Sequence, residues 1–247
     1  VSRAETPDLP PGGSGVSSRP GRMTAVVDAA RPAWLRRTPG EHRWPATLAL
    51  VATIALPVLL PDRLAPQLGL VLPAAQLLVL AGLVVANPLR IDRESAVLRL
   101  LSLGLLGLIV LSTGWSAVLL VRELVSGRDV AATTLLAAGA GIWLTTVLTF
   151  ALVFWELDRG GPAARAAGTH EHPDLVFAQM QTPGLAPADW EPRFGDYLYL
   201  AFTNATAFSP TDVLPLTHKA KAAMAAESTI TLVVVLLVLA RAVNVLG

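Results

Sequence analysis

The 247-residue chain is 53% hydrophobic and only 15% charged, and its mean hydropathy is +0.56. Soluble domains carry roughly 25% charged residues, so this composition predicts an all-α integral membrane protein with the lipid bilayer as its partner. A net charge of +1 gives no reason to expect nucleic-acid binding, and the absence of cysteine excludes disulfides, thiolate metal sites and cysteine nucleophiles.

Residues 1–43 are rich in proline, glycine, serine and arginine. Such a segment buries too little apolar surface to offset the entropy of ordering it, so we predict a disordered, basic cytoplasmic tail. Trp34 and Trp44 near its end suit an anchor at the membrane interface. A tail that fixes the topology is favoured over a specific ligand site. Its arginines are Arg3, Arg19, Arg22, Arg31, Arg36, Arg37 and Arg43.

A helix that spans a membrane needs about 20 apolar residues, and five stretches of the chain meet or approach that length. They are residues 45–61, 67–88, 99–121, 130–156 and 218–245. The first four make up a predicted four-helix transmembrane region, residues 44–156. Small residues let membrane helices approach closely, so Gly104 with Gly107 is a predicted packing face on the third span.

Residues 157–195 form a predicted polar linker with no clear periodicity. The motif His170-Glu171-His172-Pro173-Asp174 gathers metal-ligating residue types, but their spacing fits no zinc pattern. A solvated loop is therefore favoured over a metal site for this motif. Trp190 is expected to rest at the interface, where the chain turns back toward the membrane.

Residues 196–247 are predicted to hold a re-entrant helix and loop, followed by the last span. Asp196 is placed to cap a helix that begins at Tyr197, and Ser209-Pro210 breaks that helix. Irregular backbone at membrane depth survives only where protein buries it or where it lines a wet cavity. This segment is therefore the predicted functional site.

The chemistry of the re-entrant segment favours a cation. Thr203, Asn204 and Thr206 lie toward the C-terminal end of the predicted helix, which carries a partial negative charge. Hydroxyl groups, freed carbonyls and such a helix end are the groups with which pore loops select cations. Asp212 then marks the predicted mouth of the pore.

The segment from Thr206 to Lys221 resembles the pore loop of potassium channels. That loop reads T-T-V-G-Y-G-D-x-x-P-x-T, with a basic residue about four positions later, and leads into the inner helix. The matching residues are Thr206, Asp212, Pro215, Thr217 and Lys221. The residues that the resemblance assigns to the filter are Ala207, Phe208, Ser209, Pro210 and Thr211. It also implies a homotetramer around potassium or sodium, with no other cofactor.

The filter itself departs from the family pattern. Ser209 and Thr211 replace two glycines whose backbone conformations turn successive carbonyls toward the ion, and other residues adopt those conformations only at a cost. Pro210 replaces an aromatic residue and fixes φ at about −65°. A four-carbonyl potassium filter is therefore not predicted. A looser, hydroxyl-lined pore and a loop that keeps the scaffold without conducting both stay open.

Glu227 lies inside the predicted last span, where a carboxylate is by default a functional hypothesis. One interpretation is that it faces a pore or a neighbouring subunit. The other is an ion pair with Lys219 or Lys221 near the interface. The sequence does not decide between them.

The arginine-rich tail, with Arg90, Arg93 and Arg99 after the second span, places the N-terminus in the cytoplasm by the positive-inside rule. Four spans then return Asp212 to the cytoplasmic side, whereas the corresponding mouth of a potassium channel faces outward. Either the loop is inverted, or the rule fails, or residues 45–61 do not span.

The arrangement over residues 45–247 also resembles an uncharacterised bacterial family with four spans, a polar linker and a Tyr/Phe-rich segment before an aspartate. Its last helix ends in Ala-Val-Asn, here Ala242-Val243-Asn244. The resemblance implies the bacterial inner membrane but no particular activity.

The leading hypothesis is an oligomeric cation channel, or a channel-like protein with an altered filter, that works by passive ion permeation. The alternative is a non-conducting structural or accessory membrane subunit. A secondary transporter usually shows internal repeats and paired broken helices, and one broken element is visible here. An enzyme is not expected, because no Ser/His/Asp, metal or phosphate-binding arrangement is visible.

Overall fold

The computed structural model describes residues 31–59, 69–91, 95–126, 131–207 and 212–246, and these are mostly helical. The helices are α1 (Trp44–Ala55), α2 (Val71–Ala86), α3 (Ala96–Val125), α4 (Ala132–Leu157), α5 (Pro162–Ala167), α6 (Ala178–Gln181), α7 (Phe194–Ala207) and α8 (His218–Leu246). Short 3-10 turns cover Ala33–Leu35, Leu56–Leu59, Asp158–Gly160 and Pro183–Leu185. The strands β1 (Leu175–Phe177) and β2 (Val213–Pro215) pair antiparallel, with Val176 opposite Leu214.

Three helical stretches of the described chain are long and apolar enough to cross a membrane, judged by length and composition. They are Ala96–Val125, Thr133–Ala167 and His218–Val243. Trp44–Leu59 and Val71–Ala86 are apolar but fall short of the roughly 20 residues that a span needs. A mostly helical chain with three candidate spans is confirmed, and the count of five spans and the re-entrant helix stay predictions.

Helices α4 and α8 pack closely at the centre of the bundle. Leu135, Ala138 and Ile142 of α4 share a buried cluster with Val234 and Val238 of α8. A Cβ atom built on Gly139 would lie 2.7 Å from a methyl carbon of Val238, so only glycine permits the two helices to approach this closely. The predicted packing face on α3 is not seen in the described chain, because Cβ atoms built on Gly104 and Gly107 would meet nothing within 4 Å.

One end of the bundle, which we call the polar end, is where six helices begin or end: α1, α2, α3, α4, α7 and α8. Side chains from the start of α1, the end of α2, the start of α3 and the end of α4 line one cavity there: Arg43, Asn87, Arg99 and Glu156. Helix α7 begins there, because the N–H of Phe194 donates to Glu41 at 2.9 Å. Helix α8 begins beside it, because Lys219 Nζ lies 3.1 Å from Asp174.

The chain enters the bundle in α7 and comes back to the polar end. Asn204, in the third turn of α7, donates a hydrogen bond to the carbonyl of Met224 in α8 at 3.0 Å. β2 lies again at the polar end, because it pairs with β1, and Phe177 of β1 contacts Tyr197 at the start of α7 with ring centroids 5.3 Å apart. A 14-residue helix is about 21 Å long, which sets the depth of this excursion.

The predicted start of α7 at Tyr197 was wrong by three residues. The helix begins at Phe194, and Asp196 occupies its first turn. The Asp196 carboxylate accepts the N–H of Arg193 at 2.8 Å, so it reaches back to the residue before the helix, as the third residue of a capping box does.

The segments predicted as a tail and a linker both contain structure. The linker holds α5, β1 and α6. Part of the tail packs on it, because the N–H of Thr38 donates to the carbonyl of Ala166 at 2.9 Å. The prediction of a disordered tail is therefore wrong for residues 31–43, and residues 1–30 lie outside the described part of the chain.

Candidate functional site

The polar centre of the bundle is a pair formed by Asn204 of α7 and Glu227 of α8. The Asn204 amide donates to Glu227 Oε2 at 2.7 Å, and the hydroxyl of Ser228 donates to Asn204 Oδ1 at 3.1 Å. Glu227 is fully buried, and its Oε1 has no hydrogen-bond partner in the described chain. The site is therefore a buried carboxylate that keeps one oxygen free.

A band of threonines lies on α4 at the level of this pair. Phe150 of α4 belongs to the same buried cluster as Met224 of α8, and Ile142 belongs to the same cluster as Val234. The stretch of α4 between Ile142 and Phe150 therefore lies beside the stretch of α8 between Met224 and Val234. The buried threonines of α4 in this interval are Thr145, Thr146 and Thr149. All three hydroxyls have bonds within α4 or to α3: Thr145 and Thr146 donate to carbonyls one turn back, and Thr149 bonds Thr113 at 3.0 Å.

The other predicted residues of α7 lie on its outer side or at its end. Thr206 is exposed, and its hydroxyl bonds the carbonyl of Phe202 in the same helix at 2.8 Å. Thr203 likewise bonds the carbonyls of Tyr199 and Leu200, each at 3.0 Å. Ala207 ends the helix. The remaining predicted filter residues lie outside the described residues: Phe208, Ser209, Pro210 and Thr211.

The predicted mouth is built into the small sheet. Asp212 immediately precedes β2, and Pro215 pairs with Leu175 of β1. Thr217 caps α8, because its hydroxyl accepts the N–H of Ala220 at 3.3 Å. These residues are therefore held at the polar end.

Neither lysine predicted near Glu227 contacts it. Lys219 pairs with Asp174 at 3.1 Å, and Lys221 is exposed. The interfacial ion pair considered for Glu227 is therefore wrong, because the carboxylate is turned into the bundle toward Asn204. A pore-facing position is also not seen within one chain, since Glu227 is fully buried.

A second buried carboxylate, Asp158, lies at the polar end and was missed by sequence reasoning. Its Oδ1 accepts the N–H groups of Asp174 and Leu175 at 2.9 and 3.3 Å. Its Oδ2 accepts the hydroxyl of Tyr197 at 2.7 Å. Asp174 in turn accepts the N–H of Arg159 at 2.9 Å, so this cluster ties α4, β1 and α7 together.

Glu41 and Arg165 complete the cluster at the polar end. Glu41 accepts hydrogen bonds from the Trp155 indole and from Arg165, the latter at 3.3 Å. Arg165 also donates to the carbonyls of Trp155 and Asp158 at 2.6 and 3.0 Å, and its guanidinium stacks over the Tyr197 ring. Burial raises the pKa of the Tyr197 phenol well above its usual value, and the neighbouring Asp158 carboxylate adds to the rise. The phenol therefore stays protonated and donates to Asp158.

The His170 motif does not form a metal site in the described chain. Glu171 instead makes an exposed ion pair with Arg31 at 2.9 Å, and His170 contacts the Thr169 hydroxyl. Among the described residues, no group of three or more His, Cys, Asp or Glu side chains is arranged so that it could hold a metal ion. The solvated-loop interpretation does not hold for Asp174, which is buried.

Comparisons of the chain with models of protein families, with curated proteins and with solved structures found no match. The function has to be argued from the geometry of the chain itself.

Proposed function

We propose that the chain is a multi-pass protein of the bacterial inner membrane that conducts a monovalent cation passively through an oligomeric pore. In this proposal α1, α2, α3, α4 and α8 are the five spans. Helix α7 and the residues that follow it are the re-entrant pore helix and loop. The observation that carries the proposal is the return of the chain, after α7, to the end of the bundle at which α7 began.

The outer surface of the long helices supports a place in lipid. Large apolar side chains on α3 and α8 are widely exposed: Val97, Leu100, Leu111, Val118, Leu236, Leu239 and Val243. Soluble monomers rarely expose contiguous apolar surface on this scale, whereas a bilayer covers it.

The charges of the polar end support a cytoplasmic orientation for it. Its basic side chains, from several parts of the chain, are Arg43, Arg90, Arg99, Arg159, Arg165, Arg193, Lys219 and Lys221. Cytoplasmic flanks of spans are enriched in lysine and arginine. With the polar end inside, Asp212 and the predicted mouth face the cytoplasm, so the pore loop is inverted relative to potassium channels.

Asn204 and Glu227 give this arrangement a polar contact inside the membrane. Acids within spans mark ion pathways more often than they serve as surface groups. Glu227 holds α7 against α8 through Asn204, and its free Oε1 is available to a cation. The exposed side of α7, with Tyr199, Phe202 and Thr206, is the surface for neighbouring subunits around a fourfold axis.

Potassium or sodium flux into liposomes that contain the purified full-length chain tests the proposal. We expect Thr206→Ala, Asp212→Asn and Glu227→Gln each to abolish or strongly reduce flux. The matched controls Thr133→Ala and Asp189→Asn change exposed residues away from α7 and β2, so they should conduct normally. Absence of flux in folded, oligomeric wild-type protein would count against conduction.

One observation favours the second candidate, a non-conducting structural or accessory subunit. Asn204 and Glu227 are already buried within a single chain, so neither side chain needs a neighbouring subunit to cover it. A monomeric mass in detergent, together with a silent flux assay, would favour this candidate over the channel.

A further inference from the structure

A cavity of about 70 Å³ opens at the polar end between α1, α2, α3 and α4, apart from Asn204 and Glu227. One wall is apolar and is lined by Leu50, Leu83, Leu98, Leu105, Leu106 and Leu152. The other is polar and is lined by Arg43, Thr47, Asn87, Arg99, Ser102 and Glu156. The cavity is therefore amphipathic, with its polar wall where the helices end.

The charges on the polar wall do not balance. Arg99 Nη1 lies 2.5 Å from Glu156 Oε1, so these two groups form an ion pair. Glu156 also acts on Arg43, so the described part of this wall sets one carboxylate against two arginines and keeps a surplus positive charge. Arg43 is only 8% exposed, and its Nε has no hydrogen-bond partner among the described residues.

Two neutral groups on the same wall are also unsatisfied. Within the described ranges, the buried hydroxyl of Thr47, one turn after Arg43 on α1, has no partner, and neither has the buried side-chain carbonyl of Asn87. Buried polar groups are rarely left unpaired, because each loses its bonds to water. The wall thus offers a cationic donor, a hydroxyl and an acceptor to one occupant.

Water alone does not complete this site. The volume is roughly five times the minimum of about 10–15 Å³ that one water needs, so water fits. A neutral water, however, leaves Arg43 to share the single carboxylate of Glu156 with Arg99, so the surplus positive charge of the wall stays uncompensated, which is the costly part of burying it. A singly charged anion satisfies both the charge and the hydrogen bonds.

We propose that this cavity binds the singly charged phosphate of an anionic phospholipid whose headgroup carries a hydroxyl, as in phosphatidylglycerol. The phosphate oxygens accept from Arg43 and Thr47, the headgroup hydroxyl donates to Asn87, and the glyceride part lies on the leucine wall. Basic pockets between spans on the cytoplasmic side are where anionic headgroups bind. That the anion is a lipid rests on the proposed membrane location of the protein. That the cavity binds an anion rests only on the residues that line it.

Thermal unfolding of the full-length protein in a neutral detergent tests the site, with three additions compared: phosphatidylglycerol, phosphatidylcholine and inorganic phosphate. We expect phosphatidylglycerol to raise Tm in a saturable way and phosphatidylcholine to have no effect. An equal rise with inorganic phosphate would support the anion site and assign it to a free phosphate. No rise with either anion overturns the proposal. Ion flux is not part of this readout, so a non-conducting protein can still pass.

Arg43→Met removes the charge and keeps a side chain of similar length. We expect it to weaken the apparent Kd for phosphatidylglycerol about tenfold or more, because a charge-assisted hydrogen bond is lost. Without lipid its Tm should not fall, because Glu156 keeps its ion pair with Arg99 while the surplus positive charge of the wall is removed. Arg37→Met, at an exposed arginine six residues earlier, is the matched control and should bind normally.

Asn87→Asp keeps the shape of the wall and supplies Arg43 with an internal counter-charge. We expect this variant to bind phosphatidylglycerol about tenfold or more weakly, like Arg43→Met, while it unfolds at the wild-type temperature or above. Unchanged binding in both variants would overturn the assignment of the anion to this cavity.

Discussion

Asp158 and Glu227 are both fully buried, yet the chain treats the two carboxylates in opposite ways. Asp158 accepts two backbone N–H groups and the Tyr197 hydroxyl. Glu227 accepts one side-chain amide and leaves an oxygen unpartnered in the described chain. A carboxylate with its bonds filled fixes the fold around it, whereas one with a free oxygen keeps capacity for a proton or a cation. The difference separates a structural acid from a candidate functional one.

The largest effect is expected from Asp158→Asn. The substitution removes the charge opposite Arg159 and Arg165. Its new amide donor faces either the two backbone N–H groups, which cannot accept, or the Tyr197 hydroxyl, which has to turn round to accept. Breaking a buried charge pair from one side costs about 3–5 kcal/mol. Thermal unfolding in detergent should show a large fall in Tm, and Asp189→Asn, at an exposed aspartate, should show none. A small fall for Asp158→Asn would erase the contrast with Glu227.

A smaller loss is expected from Tyr197→Phe, which deletes only the hydroxyl that Asp158 accepts at 2.7 Å. A hydrogen bond to a charged group contributes about 1.5–3 kcal/mol. Tyr199→Phe, on the exposed side of the same helix, is the control and should leave Tm unchanged.

The stability of the wild type should also depend on pH in a way that the stability of Tyr197→Phe does not. Because the pKa of Tyr197 is raised in the folded chain, its contribution is complete below about pH 10 and is lost as the pH rises above that value. The wild type should therefore lose stability at alkaline pH more steeply than Tyr197→Phe. Parallel pH profiles would show that the phenol is not held neutral by the cluster.

Gly139→Ala tests the close packing of α4 on α8. The new methyl group would lie 2.7 Å from Val238, and overpacking costs about 1–3 kcal/mol. Gly107→Ala, where nothing lies within 4 Å, is the matched control and should be neutral. Equal effects of the two alanines on Tm would contradict the close approach of α4 and α8.

The smallest effect on stability is expected from Glu227→Gln, within about 1 kcal/mol of wild type. The amide oxygen still accepts from Asn204, and neutralising a carboxylate that has no cationic partner removes a cost of burial. Its Tm should stay near the wild-type value even where flux is lost. A loss as large as that of Asp158→Asn would make Glu227 a structural acid as well.

The sequence predicted the elements that depend on local pattern. Long apolar runs were enough to place α3, α4 and α8, because hydrophobic length is itself the signal for a span. Glu227 was a predicted functional residue because a carboxylate stands out in an apolar helix, and Asn204 because it lies toward the C-terminal end of the predicted re-entrant helix. Their contact, 23 residues apart, was not predicted, because no local pattern sets the rotation of α7 against α8.

The polar end was missed because its partners are far apart in the chain. Asp158 meets Tyr197 across 39 residues, and Glu41 meets the N–H of Phe194 across 153. The composition of residues 31–43 and 157–195 is polar and irregular. Segments that side-chain hydrogen bonds hold in place and segments that stay disordered can both have such a composition. Only the three-dimensional arrangement tells the two apart.

The position of Glu41 also bears on the order in which the molecule assembles. Its carboxylate bonds Trp155, Arg165 and the N–H of Phe194, which are made 114 to 153 residues later. The segment before α1 can pair with residues 89–91 as soon as α2 has been made, because Arg90 donates to the carbonyl of Gly40 and pairs with His42. The Glu41 carboxylate, however, has none of its three partners until α4 and α5 follow, and it accepts its last hydrogen bond only when α7 begins.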